Sequence, residues 1–214
     1  MVSEILNEYK EKYGKIKLDL ACGDNKKGEE YIGVDISDTN SNNIVCDLQL
    51  YPWPFEDNSI DEVHCSHYIE HIPHDTAVKE ALAEANNFDE FKNLYNEKSK
   101  LDGGIKFYNE IYRILKPGGK AYIIAPYYTS ERAYGDPTHK RVISDMSVAY
   151  LNQEWLNSNK LKHYGIIADF DITYSYHISE EMALRSEQHR NKAIRGEWNV
   201  VNDIMIELTK RNNE

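Results

Sequence analysis

Apolar positions along the chain recur with two different periods, and the switches between them mark a succession of strands and helices. Residues 3–13 read as a short amphipathic helix, with Ile5, Leu6 and Tyr9 on one side. Residues 16–20 form a first strand, where Lys15 and Lys17 flank the apolar Ile16, Leu18 and Leu20. A polar loop over 23–28 leads to a second strand at 31–36, a short third at 44–46 and a fourth at 60–65. Residues 106–115 read as a helix, Lys116-Pro117-Gly118-Gly119 as a turn, and 121–125 as a fully apolar fifth strand. Strands that are apolar on both faces and alternate with helices or loops predict an α/β fold around a mostly parallel sheet. In the last third, 166–178 alternates like an exposed strand, 179–194 reads as a helix and 198–209 as a final strand. That ending predicts one antiparallel edge strand, with helices on both faces of the sheet.

One stretch reads as an insertion after the fourth strand. Residues 74–101 are rich in Asn, Glu, Lys and Ala, and Ala77, Leu82, Ala85, Phe88, Phe91 and Leu94 recur at helix-like spacing. It is expected to be a helical elaboration on the sheet edge, and a candidate lid, since added elements at strand ends often bind. With 214 residues, a single domain over 1–214 is the natural expectation.

Composition narrows the function. Twenty-five Lys and Arg against thirty-six Asp and Glu give a net charge of −11, which disfavours a nucleic-acid partner. No apolar run reaches the roughly 18 residues that suggest a membrane span. Three scattered cysteines, Cys22, Cys46 and Cys65, suit a reducing cytoplasm better than a disulfide framework.

The candidate chemistry lies at the strand ends. Leu18-Asp19-Leu20-Ala21-Cys22-Gly23 ends the first strand with an acid and then a glycine. In open α/β sheets ligands bind beyond the carboxyl ends of strands, where a glycine lets the backbone approach closely. Asp35 ends the second strand, and a carboxylate there can accept two hydrogen bonds from the vicinal hydroxyls of a ribose. Asp47 follows the third strand. Any one of these acids could be a turn residue; three at successive strand ends point to a nucleoside pocket. The dinucleotide fingerprint is absent, since only Gly23 and Gly28 are present, and a P-loop is excluded because Glu29 and Glu30 follow Gly28. A pocket of carboxylates without a phosphate cradle suits a positively charged nucleoside.

With these residues in place, the chain resembles the class I S-adenosylmethionine-dependent methyltransferases. The likeness rests on six segments in family order between about residues 16 and 126. They are Leu18-Asp19-Leu20-Ala21-Cys22-Gly23, Gly33-Val34-Asp35, Cys46-Asp47-Leu48, the run from Phe55 to Val63, Ser66-His67-Tyr68-Ile69-Glu70-His71-Ile72, and the run from Ile111 to Gly119 that carries Leu-Lys-Pro-Gly-Gly. The resemblance implies a seven-stranded sheet and places Asp19 and Gly23 near the methionine part of the cofactor, with Ala21 a further cofactor contact. It implies Asp35 on the ribose and Asp47 with Leu48 around the adenine, and Ile36 and Ser66 are further expected cofactor contacts. His67 is expected to face the transferable methyl, and S-adenosylhomocysteine would be the product.

One departure stands out. Only seven residues separate Gly23 from Tyr31, whereas a parallel crossover normally takes a dozen or more. An irregular loop is expected in place of the usual helix, with Lys26 and Lys27 on its surface.

His67-Tyr68-Ile69-Glu70-His71 also matches the H-x-x-E-H pattern of inverted zinc peptidases, and on a helix the two histidines would share a face. Pro73 disfavours that helix. The methyltransferase reading calls for no metal, and the peptidase stands as the remote alternative.

Residues 126–141 carry three tyrosines, two acids, a histidine and three cations beside the presumed methyl-transfer site. Tyr127, Asp136, His139 and Arg141 are the expected acceptor contacts. Arg141 with Lys140 would pair with an anionic group, and His67 or His139 would serve as general base for a protonated acceptor. The expected function is in-line methyl transfer to a small-molecule acceptor. A nucleic-acid or protein methyltransferase, and a non-catalytic cofactor-binding module, are the alternatives. No Asn/Asp-Pro-Pro-Tyr/Phe segment of the kind that resembles amino-methylating nucleic-acid enzymes is present.

Overall fold

The computed structural model describes residues 2–39 and 44–212. Helix α1 (Val2–Tyr13) turns Val2, Ile5, Leu6 and Tyr9 onto the core. The strands β1 (Lys17–Leu20), β2 (Tyr31–Asp35), β3 (Ile44–Val45) and β4 (Ile60–Ser66) follow. Leu18, Leu20, Ile32, Val34 and Val63 are wholly excluded from solvent. Consecutive buried residues such as Tyr31 to Val34 need cover on both faces of the sheet, the mark of parallel strands. A single 3₁₀ turn, Ile69–His71, leads away from β4.

The stretch expected as an insertion is helical, as two helices, α2 (Ala77–Glu84) and α3 (Phe88–Lys98). Its anchor is Glu80, 3% exposed, which accepts from Lys106 Nζ at 2.5 Å and from Thr76 Oγ1 at 2.6 Å. Helix α4 (Gly103–Ile114) buries Phe107, Ile111 and Ile114, one stripe at helical spacing. It starts three residues earlier than the hydrophobic pattern predicts because Asp102 caps it, accepting from Gly104 N at 2.7 Å. Strand β5 (Leu115–Pro126) absorbs the Lys-Pro-Gly-Gly turn as an irregularity at its start, where the register with β4 shifts.

Beyond β5 come three short helices the hydrophobic pattern does not signal, α5 (Arg132–Gly135), α6 (Asp145–Ala149) and α7 (Gln153–Ser158). Strand β6 (Phe170–Ile178) begins four residues late, since the backbone of 166–168 is held by the side chains of Gln153 and Asn109 instead of a strand. The helix expected over 179–194 is two, α8 (Glu180–Ala183) and α9 (Glu187–Gly196), because Ser186 caps a fresh start by accepting from His189 N. Strand β7 (Val201–Lys210) closes the sheet.

The seven strands form one sheet in the order β3-β2-β1-β4-β5-β7-β6. β1 to β5 pair in parallel, and β7 runs antiparallel to both β5 and β6. The antiparallel pairing falls at the expected end of the sheet, with β7 one place in and β6 outermost. The chain leaves β1 toward β2 on one side and later enters β4 on the other, so the strand order reverses beside β1. The crevice at that reversal is where α/β sheets hold ligands.

Among the described residues, no helix is long and apolar enough to cross a membrane.

Candidate functional site

The β1–β2 connection is irregular, as its length predicts, and its shape is set from below. Asp19 is 3% exposed; its Oδ1 lies 2.6 Å from His64 Nδ1 on β4, and its Oδ2 accepts from Lys27 N at 2.7 Å. Asp19 thus ties the loop to the neighbouring strand. Above it the backbone turns left-handed at Ala21 (φ 55°) and Gly23 (φ 52°). A Cβ on Gly23 would meet no atom within 4 Å, so this backbone faces open space. Alanine seldom takes such a φ, and a residue held there marks a place where the fold imposes shape.

Asp35, at the tip of β2, reaches back to this turn. Its Oδ2 accepts from Gly23 N at 3.0 Å and its Oδ1 from Ser37 N at 2.9 Å. A carboxylate has about four acceptor sites, so two remain for a ligand. One cleft is lined by Ala21, Asp35, Ile36, Asp47 and Leu48 together. Five of the eight cofactor contacts expected from the sequence therefore share a wall. The other three do not line it: Asp19 holds the adjoining loop at Lys27 N, Gly23 donates to Asp35, and Ser66 ends β4 paired with Ile124 of β5.

The same cleft is lined by Cys46, Gln49, Tyr68 and Lys79, which the sequence reading did not single out as contacts. Lys79 is the unexpected member: α2 carries its Nζ to 2.5 Å from Asp47 Oδ2. Burial pushes the Cys46 thiol up to about 11, so this sulfur stays protonated at neutral pH.

On the other side of β4, His67 has a left-handed φ of 54°. Its Nδ1 lies 3.3 Å from Glu70 Oε1 and its Nε2 3.9 Å from Asp203 Oδ1 on β7. The Glu70 contact raises the basicity of this imidazole above the ordinary value, against the effect of burial. Asp203 is 5% exposed and is gripped by Arg132 Nη1 at 2.8 Å and His177 Nδ1 at 3.2 Å. An acid within the apolar run of the last strand was the available signal for Asp203. The left-handed residue and the 3₁₀ turn also remove the helical face that the H-x-x-E-H pattern requires, because His67 lies outside the turn that holds Glu70 and His71.

Of the four acceptor contacts expected in the 126–141 segment, Asp136, His139 and Arg141 line one cleft and Tyr127 does not. Tyr127 is 3% exposed, packed on Tyr128 and Tyr176, with its hydroxyl 3.3 Å from Asp145 Oδ1. That makes it a wall of the core more than an acceptor contact. Arg141 donates to the carbonyls of Ile72 (3.0 and 2.8 Å) and Pro73 (3.0 Å) and to Asp102 Oδ1 (2.8 Å). Its guanidinium is a strut between β4's exit and α4, which corrects the expectation of an anion-binding side chain. Asp136 is exposed and accepts from Thr138 N and Oγ1, both at 2.7 Å. His139 lies against His71, ring centroids 4.7 Å apart, and its Nδ1 donates to Ala133 O at 3.0 Å. Lys140 N and Arg141 N both donate to Glu70 O, clamping the loop to the turn after β4.

No family model and no curated protein matches this chain. Among solved structures, it is similar to a SAM-dependent methyltransferase from Archaeoglobus fulgidus, at 21% identity over 98% of this chain and 93% of that one, with a TM-score of 0.54. A SAM-dependent methyltransferase from Methanosarcina mazei is 12% identical over 93% of both chains (TM-score 0.48). Another from Mesorhizobium loti is 12% identical over 92% of this chain and 91% of that one (TM-score 0.47). At such identities the Archaeoglobus likeness shows the fold: seven strands in one mostly parallel sheet, arranged as in that enzyme.

Proposed function

We propose that the protein is an S-adenosylmethionine-dependent methyltransferase. The observation that carries this reading is the single cleft in which Asp35, the left-handed Ala21 backbone and Asp47-Leu48 meet at neighbouring strand tips. The residues fit the cofactor. Asp35 keeps acceptor capacity for a ribose diol, Leu48 gives an apolar surface for a base, and Asp35 and Asp47 favour a cationic ligand. When bound, the cofactor would supply an electrophilic methyl group on a sulfonium, for transfer to the acceptor with S-adenosylhomocysteine as the leaving group.

The chain's own residues would position and exclude. Asp35 and the 21–23 backbone would hold the nucleoside, while β4's exit would present His67 to the acceptor. Glu70 fixes the ring of His67 through Nδ1, leaving Nε2 to hydrogen-bond or take a proton. Alignment in a dry cleft is the larger contribution, worth effective molarities of about 10⁵–10⁸ M. α2, which reaches the cleft through Lys79, would act as the lid.

A small-molecule acceptor fits better than nucleic acid. Of the basic strip Arg132, Lys140 and Arg141, two guanidiniums are already ion-paired, the half-exposed Arg132 to Asp203 and the largely buried Arg141 to Asp102. That leaves little positive surface to offer a phosphate backbone on a chain of net charge −11.

Calorimetry with S-adenosylmethionine and S-adenosylhomocysteine tests the reading. The wild-type chain should bind both, and Asp35→Ala should lose binding while keeping its circular dichroism spectrum. Absence of heat with either compound, or unchanged affinity in Asp35→Ala, would overturn it.

A further inference from the structure

Glu70 is 2% exposed, and its Oε2 has no hydrogen-bond partner among the described residues. A carboxylate oxygen buried without a partner is costly, and native folds rarely keep one unless something else takes it. Two imidazoles stand beside this carboxyl group. One ligand atom from each of Glu70, His71 and His139 lies within 4.8 Å of the others.

The hydrogen bonds around the two rings settle which nitrogens are free. His139 Nδ1 faces the carbonyl oxygen of Ala133 at 3.0 Å, which can only accept, so Nδ1 carries the proton. His71 Nδ1 lies 3.0 Å from Thr138 Oγ1, whose own proton is directed to Asp136 Oδ1 at 2.7 Å. The hydroxyl therefore accepts from His71, and again Nδ1 is the donor. Both rings keep an Nε2 lone pair. An imidazole whose Nδ1–H is held by an acceptor is the arrangement in which metal-bound histidines are found. Asp136 Oδ2, 3.9 Å from His139 Nε2, adds negative charge at the rim.

We propose that Glu70, His71 and His139 form a site for a divalent first-row transition ion with nitrogen and oxygen ligands, with Zn²⁺ as the reference ion. Bonds of about 2.0–2.2 Å would draw the three ligand atoms closer, through small rotations of two part-exposed imidazoles. Three protein ligands leave at least one position open. The site joins the turn after β4 to the loop after β5, two segments already clamped by Lys140 N and Arg141 N on Glu70 O. It differs from the H-x-x-E-H pattern: His67 binds the other oxygen of Glu70 and is not a ligand, and the second histidine comes from 68 residues downstream. Ion and His67 would then share one carboxylate.

The test is direct metal binding by the full chain without an affinity tag, and it does not depend on the methyl-transfer reading. Titration of the metal-free protein with Zn²⁺ should give one equivalent, and Co²⁺ should give visible absorption bands of low-coordinate nitrogen and oxygen ligation. His71→Ala and His139→Ala should each weaken Zn²⁺ binding at least about 100-fold, the upper range for losing a mere supporting contact. His163→Ala, an exposed histidine elsewhere, should bind as wild type. Circular dichroism of the metal-free variants shows that they fold, and His139→Asn replaces His139→Ala if it does not. No stoichiometric binding by the wild-type chain, or unchanged affinity in both ligand variants, would overturn the site.

Discussion

Lys79 Nζ lies 2.5 Å from Asp47 Oδ2, so a cation carried by the helical insertion stands at the tip of the third strand. This is the position where a nucleoside base would be read, and Lys79 also touches Gln49 Oε1 at 3.4 Å. The insertion therefore belongs to the wall of the cleft.

The pair is half in water, with side chains 43% and 18% exposed, and such ion pairs contribute about 0–1 kcal/mol. Lys79→Met should leave the melting temperature almost unchanged. It should tighten S-adenosylmethionine binding several-fold, because a positive charge is removed beside a positively charged ligand and Asp47 is released. Calorimetry at low salt checks this, and weaker binding in the variant would show that Lys79 is a contact.

Asp19 and Asp35 should separate cleanly. Asp19 is buried against His64 and also holds Lys27 N, so Asp19→Ala leaves the buried His64 ring and the Lys27 amide without their partner, a loss of about 3 kcal/mol by analogy with broken buried pairs. Urea denaturation should show a large drop in midpoint. Asp35→Ala, at a part-exposed tip, should unfold near the wild-type midpoint while failing to bind the nucleoside.

The opening of α4 offers a packing test. A Cβ on Gly103 would sit 2.2 Å from Pro73 O and 2.9 Å from Thr76 Cγ2. Gly103→Ala gains up to about 1 kcal/mol of helix propensity. Overpacking against backbone outweighs it at about 1–3 kcal/mol, so the variant should be less stable by thermal melting.

Acid should attack the Arg141 strut. Burial pushes the Asp102 carboxyl up, but the hydrogen bonds from Arg141, His74 and Gly104 N outweigh it and hold the group below the ordinary carboxylate value. A carboxyl lowered in the folded state contributes stability above its unfolded value, and that stability is lost as pH falls through the folded one. Unfolding midpoints should therefore drop steeply below about pH 4. Arg141→Met should be less stable at neutral pH and should lose part of that steepness.

The strand tips were legible because each feature is local. A strand apolar on both faces, followed by an acid, puts Asp35 and Asp47 in place whatever the rest of the chain does. The short Gly23–Tyr31 link gave away the irregular loop for the same reason. Lys79, Asp203 and the meeting of Glu70, His71 and His139 depend on contacts across 30 to more than 100 residues, and no periodicity carries those. Arg141 looked like a substrate-binding cation because sequence shows charge and hides partners. The segment 166–169 looked like strand because its alternation is real, while the Asn109 and Gln153 side chains that hold it lie far off in the chain.

The bond between Asp19 and Lys27 N has a mechanical consequence. Swinging the glycine-bearing bend outward would mean tearing an amide from a carboxylate sunk in the protein interior, so that side of the entrance behaves as a fixed doorstep. Whatever movement admits or releases a ligand then falls to the opposite jamb, where the Lys79 latch is wetted by solvent and can be undone at little expense.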